Sequence, residues 1–120
     1  MTRRVLIVED ETILAKNIKR YLEHYQYDVR IASTGTNGIA QFKECQPDVV
    51  ILDIHLPDGD GREILSQIRQ VSESVGIVII TAFGSVQLAL DAMASGANDY
   101  VEKPVSLGTL KLLIEKCTAS

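Results

Sequence analysis

The sequence predicts an α/β fold in which a five-stranded parallel sheet is doubly wound and carries helices on both faces. Five short apolar runs alternate along the chain with five stretches of helical periodicity. The apolar runs are continuous rather than alternating with polar residues, which is typical of parallel strands buried on both sides. The chain has 120 residues, the length of one domain, and its connections are short. We therefore expect a single domain over residues 1–120.

The strands are predicted from the apolar runs, and the helices from apolar residues three and four positions apart. The five predicted strands are Val5–Val8, Val29–Ala32, Val49–Leu52, Ile77–Ile80 and Asp99–Val101. The helical positions are Leu14, Ile18, Tyr21, Leu22 and Tyr25; Ile39, Ala40 and Phe42, with Pro47 as the boundary; Ile64, Leu65 and Ile68; Val86, Ala89, Leu90 and Met93; and Leu107, Leu110, Leu113, Ile114 and Cys117. Gly96 follows the fourth helix, at the place of a C-terminal cap glycine.

Composition argues against several classes of protein. A net charge of −4 does not favour direct contact with nucleic acid, which needs clustered Lys and Arg. No apolar run approaches the ~18 residues of a membrane span, and the apolar run before Glu9 is too short for an export signal. We therefore expect a cytoplasmic protein that contacts no membrane. Cys45 and Cys117 lack metal-ligand spacing and are expected to be free thiols.

Asp53 is the first candidate functional residue, because it ends a buried strand where an uncompensated charge is costly. In doubly wound folds, ligands bind beyond the carboxyl ends of the strands. The residues that follow the other strands bring the acids Glu9, Asp10 and Glu11, the hydroxyl of Thr81 and the amine of Lys103 to that edge. Two carboxylates at ~4 Å repel by about 4 kcal/mol at an effective dielectric of ~20, so a compensating cation is expected.

An all-oxygen set of ligands indicates a hard cation, and Mg²⁺ is the ion that takes one or two carboxylates together with phosphate oxygens. Lys103 can place a positive charge on a phosphoryl oxygen, and Thr81 can donate a hydrogen bond. The pattern therefore predicts a phosphate next to a carboxylate. Glu11 is expected to favour the first turn of the helix through its dipole, and Asp58 to serve a turn.

Taken together, these segments resemble the receiver domain of two-component response regulators along the whole chain. The matching segments are Val5–Glu11, Pro47–Asp53, Leu56–Gly59 with Gly61, Thr81–Ala82, and Gly96–Tyr100 leading to Lys103–Pro104. The segments 81–84, 89–93 and 96–100 further resemble receivers of the nitrogen-regulator class, which precede sigma-54-type activators. The resemblance implies a flavodoxin-like sheet with strand order 2-1-3-4-5.

The resemblance also implies roles for individual residues. Asp53 would accept a phosphoryl group from a histidine of a sensor histidine kinase. Mg²⁺ would be bound by Asp10, Asp53 and the backbone carbonyl of His55, with Glu9 acting through a metal-bound water or directly. Thr81 and Lys103 would hold the phosphoryl oxygens.

Signalling would follow from Thr81 and Tyr100, with a cis peptide at Lys103–Pro104, and would alter the surface of the fourth helix, fifth strand and fifth helix. That surface would control an output domain absent from this chain and is where a homodimer would form. His55 and Phe83 are expected to set the lifetime of the phosphorylated form.

Two other functions compete with this interpretation. An enzyme with a dissociable substrate is disfavoured, because the chain contains neither a Gly-rich P-loop nor a Gly-x-Ser-x-Gly motif. A receiver-like module that binds partners without phosphorylation is disfavoured because all the acids, Asp53 and Lys103 are present.

Overall fold

The computed structural model describes residues 2–82 and 84–118, in which a parallel sheet lies between two layers of helices. Within these residues the strands of the sheet are β1 (Arg4–Val8), β2 (Asp28–Ala32), β3 (Val49–Asp53), β4 (Gly76–Thr81) and β5 (Asp99–Glu102). The helices are α1 (Thr12–His24), α2 (Gly35–Cys45), α3 (Gly61–Val71), α4 (Val86–Ala94) and α5 (Leu107–Thr118). Between β3 and α3, the two-residue strands His55–Leu56 and Gly59–Asp60 pair as an antiparallel hairpin, here called the β3–α3 hairpin.

The strand order is β2-β1-β3-β4-β5, and every neighbouring pair is parallel. This confirms the predicted doubly wound sheet and its 2-1-3-4-5 order. Alternate residues of each strand point to opposite faces. One face packs against α2, α3 and α4, and the other against α1 and α5. The continuous apolar runs of the sequence therefore reflect strands that are covered on both sides.

The strand ends differ from the predicted bounds by one residue, and backbone pairing explains each difference. Arg4 extends β1 because it pairs with Asp28 of β2. Asp53 extends β3 because it pairs with Ile80, and Glu102 extends β5 opposite Thr81. Hydrophobicity predicts where a strand is buried, whereas its ends are set by its neighbour. Gly96, which the sequence predicts as a helix-capping glycine, follows α4 with a positive φ of +114°.

Among the helices within the described residues, α4 fully buries only small side chains. Its fully buried residues are Ala89 and Ala92, and Val86 and Leu90 are 39% and 49% exposed. By contrast, α3 buries three large aliphatic side chains. The side chain of the N-cap residue Ser85 accepts no capping hydrogen bond. Of the helices within residues 2–82 and 84–118, none has the length and apolar character needed to cross a membrane.

Candidate functional site

The parallel strands bring three acidic residues together at one edge of the sheet. Val8 of β1 pairs with Leu52 of β3, so the next residues, Glu9 and Asp53, lie side by side at the end of the two strands. One carboxylate oxygen from each of Glu9, Asp10 and Asp53 lies within 4.8 Å of the others. Asp10 is exposed, whereas Glu9 and Asp53 are only 1% and 2% exposed. The structure thus assembles the acidic cluster that the sequence predicts.

Glu9 is a buried member of the cluster whose charge is only partly compensated. Its Oε2 atom accepts a hydrogen bond from the Glu11 amide at 3.0 Å. Its buried Oε1 atom accepts no hydrogen bond from any described residue. Burial is the largest cause that raises the pKa of Glu9, and the neighbouring Asp53 adds to it, so that the pKa reaches about 7. The Glu11 amide and Lys103 act in the opposite direction without outweighing burial.

Lys103, in the loop after β5, supplies the positive charge at the site. Its Nζ atom lies 3.2 Å from Asp53, 3.2 Å from Glu9 and 3.1 Å from Glu11. The contact with Glu9 is an ion pair without hydrogen-bond geometry, whereas Nζ donates a hydrogen bond to Oδ2 of Asp53. Partial burial lowers the pKa of Lys103, but the carboxylates, Asp53 foremost, more than offset burial and raise its pKa. The lysine is therefore fully protonated at neutral pH.

Asp53 is held on both of its oxygen atoms. Oδ1 accepts a hydrogen bond from the His55 amide at 3.0 Å, and Oδ2 accepts the one from Lys103. These contacts fix the carboxylate at the end of β3 while leaving it next to the other two acids. The His55 side chain itself is exposed.

Thr81 ends β4, the strand next to Asp53, and it is completely buried. Its hydroxyl donates long hydrogen bonds to the carbonyls of Ala82 and Ser85, at 3.5 and 3.4 Å. Contacts of this length hold a hydroxyl weakly. The hydroxyl is therefore available for a stronger acceptor.

The other predicted switch residues, Tyr100 and Pro104, lie on β5 and directly after Lys103. Tyr100 is half-buried on β5 and packs on the face of the sheet covered by α4. The Lys103–Pro104 peptide bond is cis, and Pro104 itself is exposed. Phe83 lies outside the described residues, so its predicted role stays a prediction, as does that of His55.

Two residues have contacts that sequence reasoning did not predict. Glu11 is the N-cap of α1, where its side chain makes no capping hydrogen bond and pairs with Lys103, while its expected effect on the helix dipole stays a prediction. Asp58 does more than form a turn, because its carboxylate binds the first turn of α2. No local sequence signal marks either contact, since their partners are 92 and 22–23 positions away along the chain.

The donor set fits a hard divalent cation. The carboxylates are close together, one buried oxygen of Glu9 lacks a hydrogen bond, and the cluster contains no nitrogen or sulfur ligand. Mg²⁺ prefers such oxygen ligands and commonly binds one or two carboxylates. The residues present at this edge of the sheet are therefore compatible with Mg²⁺.

The sequence of this chain is similar to a known protein family over most of its length. The family model described as response regulator receiver domain matches residues 5–115. The transcriptional regulatory protein TrcR of Mycobacterium tuberculosis is 42% identical over 107 residues, which are 89% of this chain and 42% of TrcR. The regulatory protein LuxO of Vibrio cholerae is 34% identical over 108 residues, 90% of this chain and 24% of LuxO. The chain thus spans about a quarter to two-fifths of the length of these relatives.

A solved structure agrees over the whole fold. The receiver domain of NtrX from Brucella abortus superposes with a TM-score of 0.92 and 27% identity, covering 97% of this chain and 98% of that one. The matches to NtrX and LuxO also support the predicted resemblance to receivers of sigma-54-type activators. From its sequence, its sheet and these similarities, the chain belongs to the receiver-domain family of two-component response regulators.

Proposed function

We propose that this receiver domain is phosphorylated on Asp53 by a sensor histidine kinase and that Mg²⁺ assists the transfer. The observation that carries the proposal is that the buried Asp53 carboxylate lies within 4.8 Å of the oxygens of Glu9 and Asp10 and 3.2 Å from the amine of Lys103. Phosphoryl transfer requires positioning and neutralisation of charge rather than further covalent chemistry. This arrangement of acids and a lysine supplies both.

An oxygen of Asp53 would attack phosphorus while the bond between phosphorus and the donor nitrogen breaks. Mg²⁺ would be bound by Glu9, Asp10, Asp53 and the backbone carbonyl of His55. When bound, the ion would neutralise the negative charge of the carboxylates and of the phosphoryl oxygens. Lys103 is already protonated and adjacent to Asp53, so it can pair with a new phosphoryl oxygen without taking up a proton. The Thr81 hydroxyl, which is weakly held, would donate a hydrogen bond to another phosphoryl oxygen.

We further propose that phosphorylation alters the surface formed by α4, β5 and α5. The small buried side chains of α4 and the packing of Tyr100 on the same face of the sheet support this proposal. The surface would act on an output domain elsewhere in the full-length protein, and the names of the relatives make a transcriptional output the best candidate. Leu90 of α4 and Leu112 of α5 are large apolar side chains left exposed, which would suit them to contacts in a homodimer.

Incubation with Mg²⁺ and a small phosphodonor, followed by intact-mass measurement, tests the central claim. Wild-type protein should gain one phosphoryl group that is lost in mild base, and Asp53→Asn should gain none. Asp48→Asn is a matched control, since Asp48 precedes the same strand at the opposite edge of the sheet and is exposed. A base-stable adduct, or one that persists in Asp53→Asn, would show that Asp53 is not the acceptor. A wild-type protein that stays unmodified would favour a phosphorylation-independent module.

A further inference from the structure

The β3–α3 hairpin needs external support to hold its backbone in one place. Its two strands have two residues each, and so short a hairpin is not stable by itself in water. Under the proposed function, on which this inference rests, the hairpin carries the His55 carbonyl that binds Mg²⁺. Metal ligands are oriented by the contacts of the groups around them. The hairpin's anchors are therefore relevant to metal binding.

The base of the hairpin is anchored through the backbone. Gly61, the first residue of α3, donates its amide hydrogen bond to the Ile54 carbonyl at 2.7 Å. The Ile54 amide in turn donates to the carbonyl of Ile80 in β4, at 3.2 Å. A Cβ atom on Gly61 would lie 2.3 Å from the Asp53 carbonyl oxygen, so the backbones meet at a distance that glycine alone allows. These contacts hold the base but not the tip.

The tip is anchored by the side chain of Asp58. Its Oδ1 accepts a hydrogen bond from the Gly35 amide at 2.8 Å, and its Oδ2 accepts from the Thr36 amide and the Thr36 hydroxyl, both at 2.9 Å. Gly35 and Thr36 begin α2, so their amides have no partner within the helix. The positive end of the helix dipole also favours a carboxylate there. The three bonds lower the pKa of Asp58 to about 2, as expected of a firmly held anion.

We propose that Asp58 is a positioning residue for the metal site, which fixes the His55 carbonyl by tying the tip of the β3–α3 hairpin to the first turn of α2. The hydrogen bonds of Asp58 link two βα units, because Thr36 and Gly35 lie 22 and 23 positions before Asp58 in the chain. Asp58 touches neither the acidic cluster nor the transferred group in this arrangement. Its effect reaches the site through the hairpin backbone, three residues from His55.

The chain offers a matched control within the same helix terminus. Thr34 is the N-cap of α2, and its hydroxyl accepts the Asn37 amide at 3.1 Å. Thr34→Ala therefore removes a cap from α2 without removing a contact to the hairpin. Asp58→Ala removes both a cap and the anchor. A difference between these two variants reports the anchor alone.

The test is calorimetric titration of Mg²⁺ into the complete chain, with the thermal stability of each variant measured in parallel. Asp58→Ala should bind Mg²⁺ about tenfold more weakly, at the lower end of the range for groups that orient metal ligands. Asp58→Asn, which keeps one acceptor oxygen, should fall between Asp58→Ala and wild type and serves if Asp58→Ala does not fold. Thr34→Ala should bind as wild type does. The hairpin amides of Asp58→Ala should also exchange hydrogen faster than those of Thr34→Ala.

Two outcomes overturn the inference while the proposed function stands. In the first, wild type binds Mg²⁺ and both Asp58 variants bind it within twofold of wild type. In the second, Thr34→Ala loses as much affinity as Asp58→Ala, which would assign the effect to the stability of α2. A wild-type chain that binds no Mg²⁺ would overturn the proposed metal site, and with it the inference. The three results are distinguishable in one experiment.

Discussion

Replacing Glu9 with Gln should stabilise the metal-free protein at high pH. The folded protein holds the pKa of Glu9 at about 7, mainly by burial, against an ordinary value of 4.5. Because this folded pKa is raised, the group's stabilising contribution is complete below about pH 4.5 and is lost as pH rises through about 7. At about 1.4 kcal/mol per pKa unit, the full effect is about 3–4 kcal/mol. Gln has no proton to lose and avoids this cost.

The expected result is a difference between the two proteins that depends on pH. At about pH 8 the variant should be about 3 kcal/mol more stable than wild type, and at about pH 4 the difference should nearly vanish, because Glu9 is then protonated in both the folded and the unfolded states. Taking the difference removes the contributions of the other titrating groups, which both proteins share. Urea unfolding followed by far-UV circular dichroism in the presence of EDTA measures it, since the chain has no Trp.

Adding Mg²⁺ provides the second arm of the same experiment. At about pH 8 the ion should raise the free energy of unfolding of wild type, and it should raise that of Glu9→Gln much less, since the variant lacks one charge of the cluster. The reasoning is refuted if Glu9→Gln has the same pH profile as wild type in EDTA. It is also refuted if the variant is the less stable protein at about pH 8.

Three further predictions follow from single contacts. Lys103→Met should lower the free energy of unfolding by about 2 kcal/mol near neutral pH. This is less than the ~3–5 kcal/mol lost when a fully buried ion pair is broken, because Lys103 is partly exposed. Urea unfolding measures the effect, and an unchanged midpoint would contradict the prediction. Gly61→Ala should cost about 3 kcal/mol because its methyl group meets backbone, whereas the control Gly108→Ala, with space around its Cβ, should not destabilise the chain. The stability difference between wild type and Asp58→Asn should persist above about pH 4 and disappear as pH falls towards 2, because the folded pKa of Asp58 is lowered; an acid titration that leaves the difference constant would rule this out.

The fold could be predicted from the sequence because its signals are local and agree with one another. The continuous run Val49–Leu52 indicated a strand covered on both faces, and β3 is buried along its whole length. The spacing of Ile64, Leu65 and Ile68 placed one face of α3 in the core. The one-residue differences at strand ends arise from pairing between distant segments, which local hydrophobicity does not encode.

The candidate site was predictable where topology alone brings residues together. Parallel strands end at the same edge, so Glu9 and Asp53 had to be neighbours once both strands were placed correctly. The partners of Glu11 and Asp58 depend instead on how a loop turns and how two βα units approach each other. The side chain of Glu11 reaches Lys103, and that of Asp58 reaches Gly35, through contacts that have no periodic signature.

The uneven burial of the helices explains why the proposed output surface lies at α4. A buried CH₂ group contributes about 0.8 kcal/mol, so the fully buried Ala89 and Ala92 of α4, with Leu88 and Met93 only partly buried beside them, contribute less than the three large aliphatic side chains that α3 buries. A change of charge at the acidic cluster changes local free energies by a few kcal/mol, as the value for Glu9 illustrates. That amount is a larger fraction of the packing of α4 than of the packing of α3. The same event at Asp53 can therefore move α4 while the sheet and α3 stay in place, since the elements that respond are those with the lowest local stability.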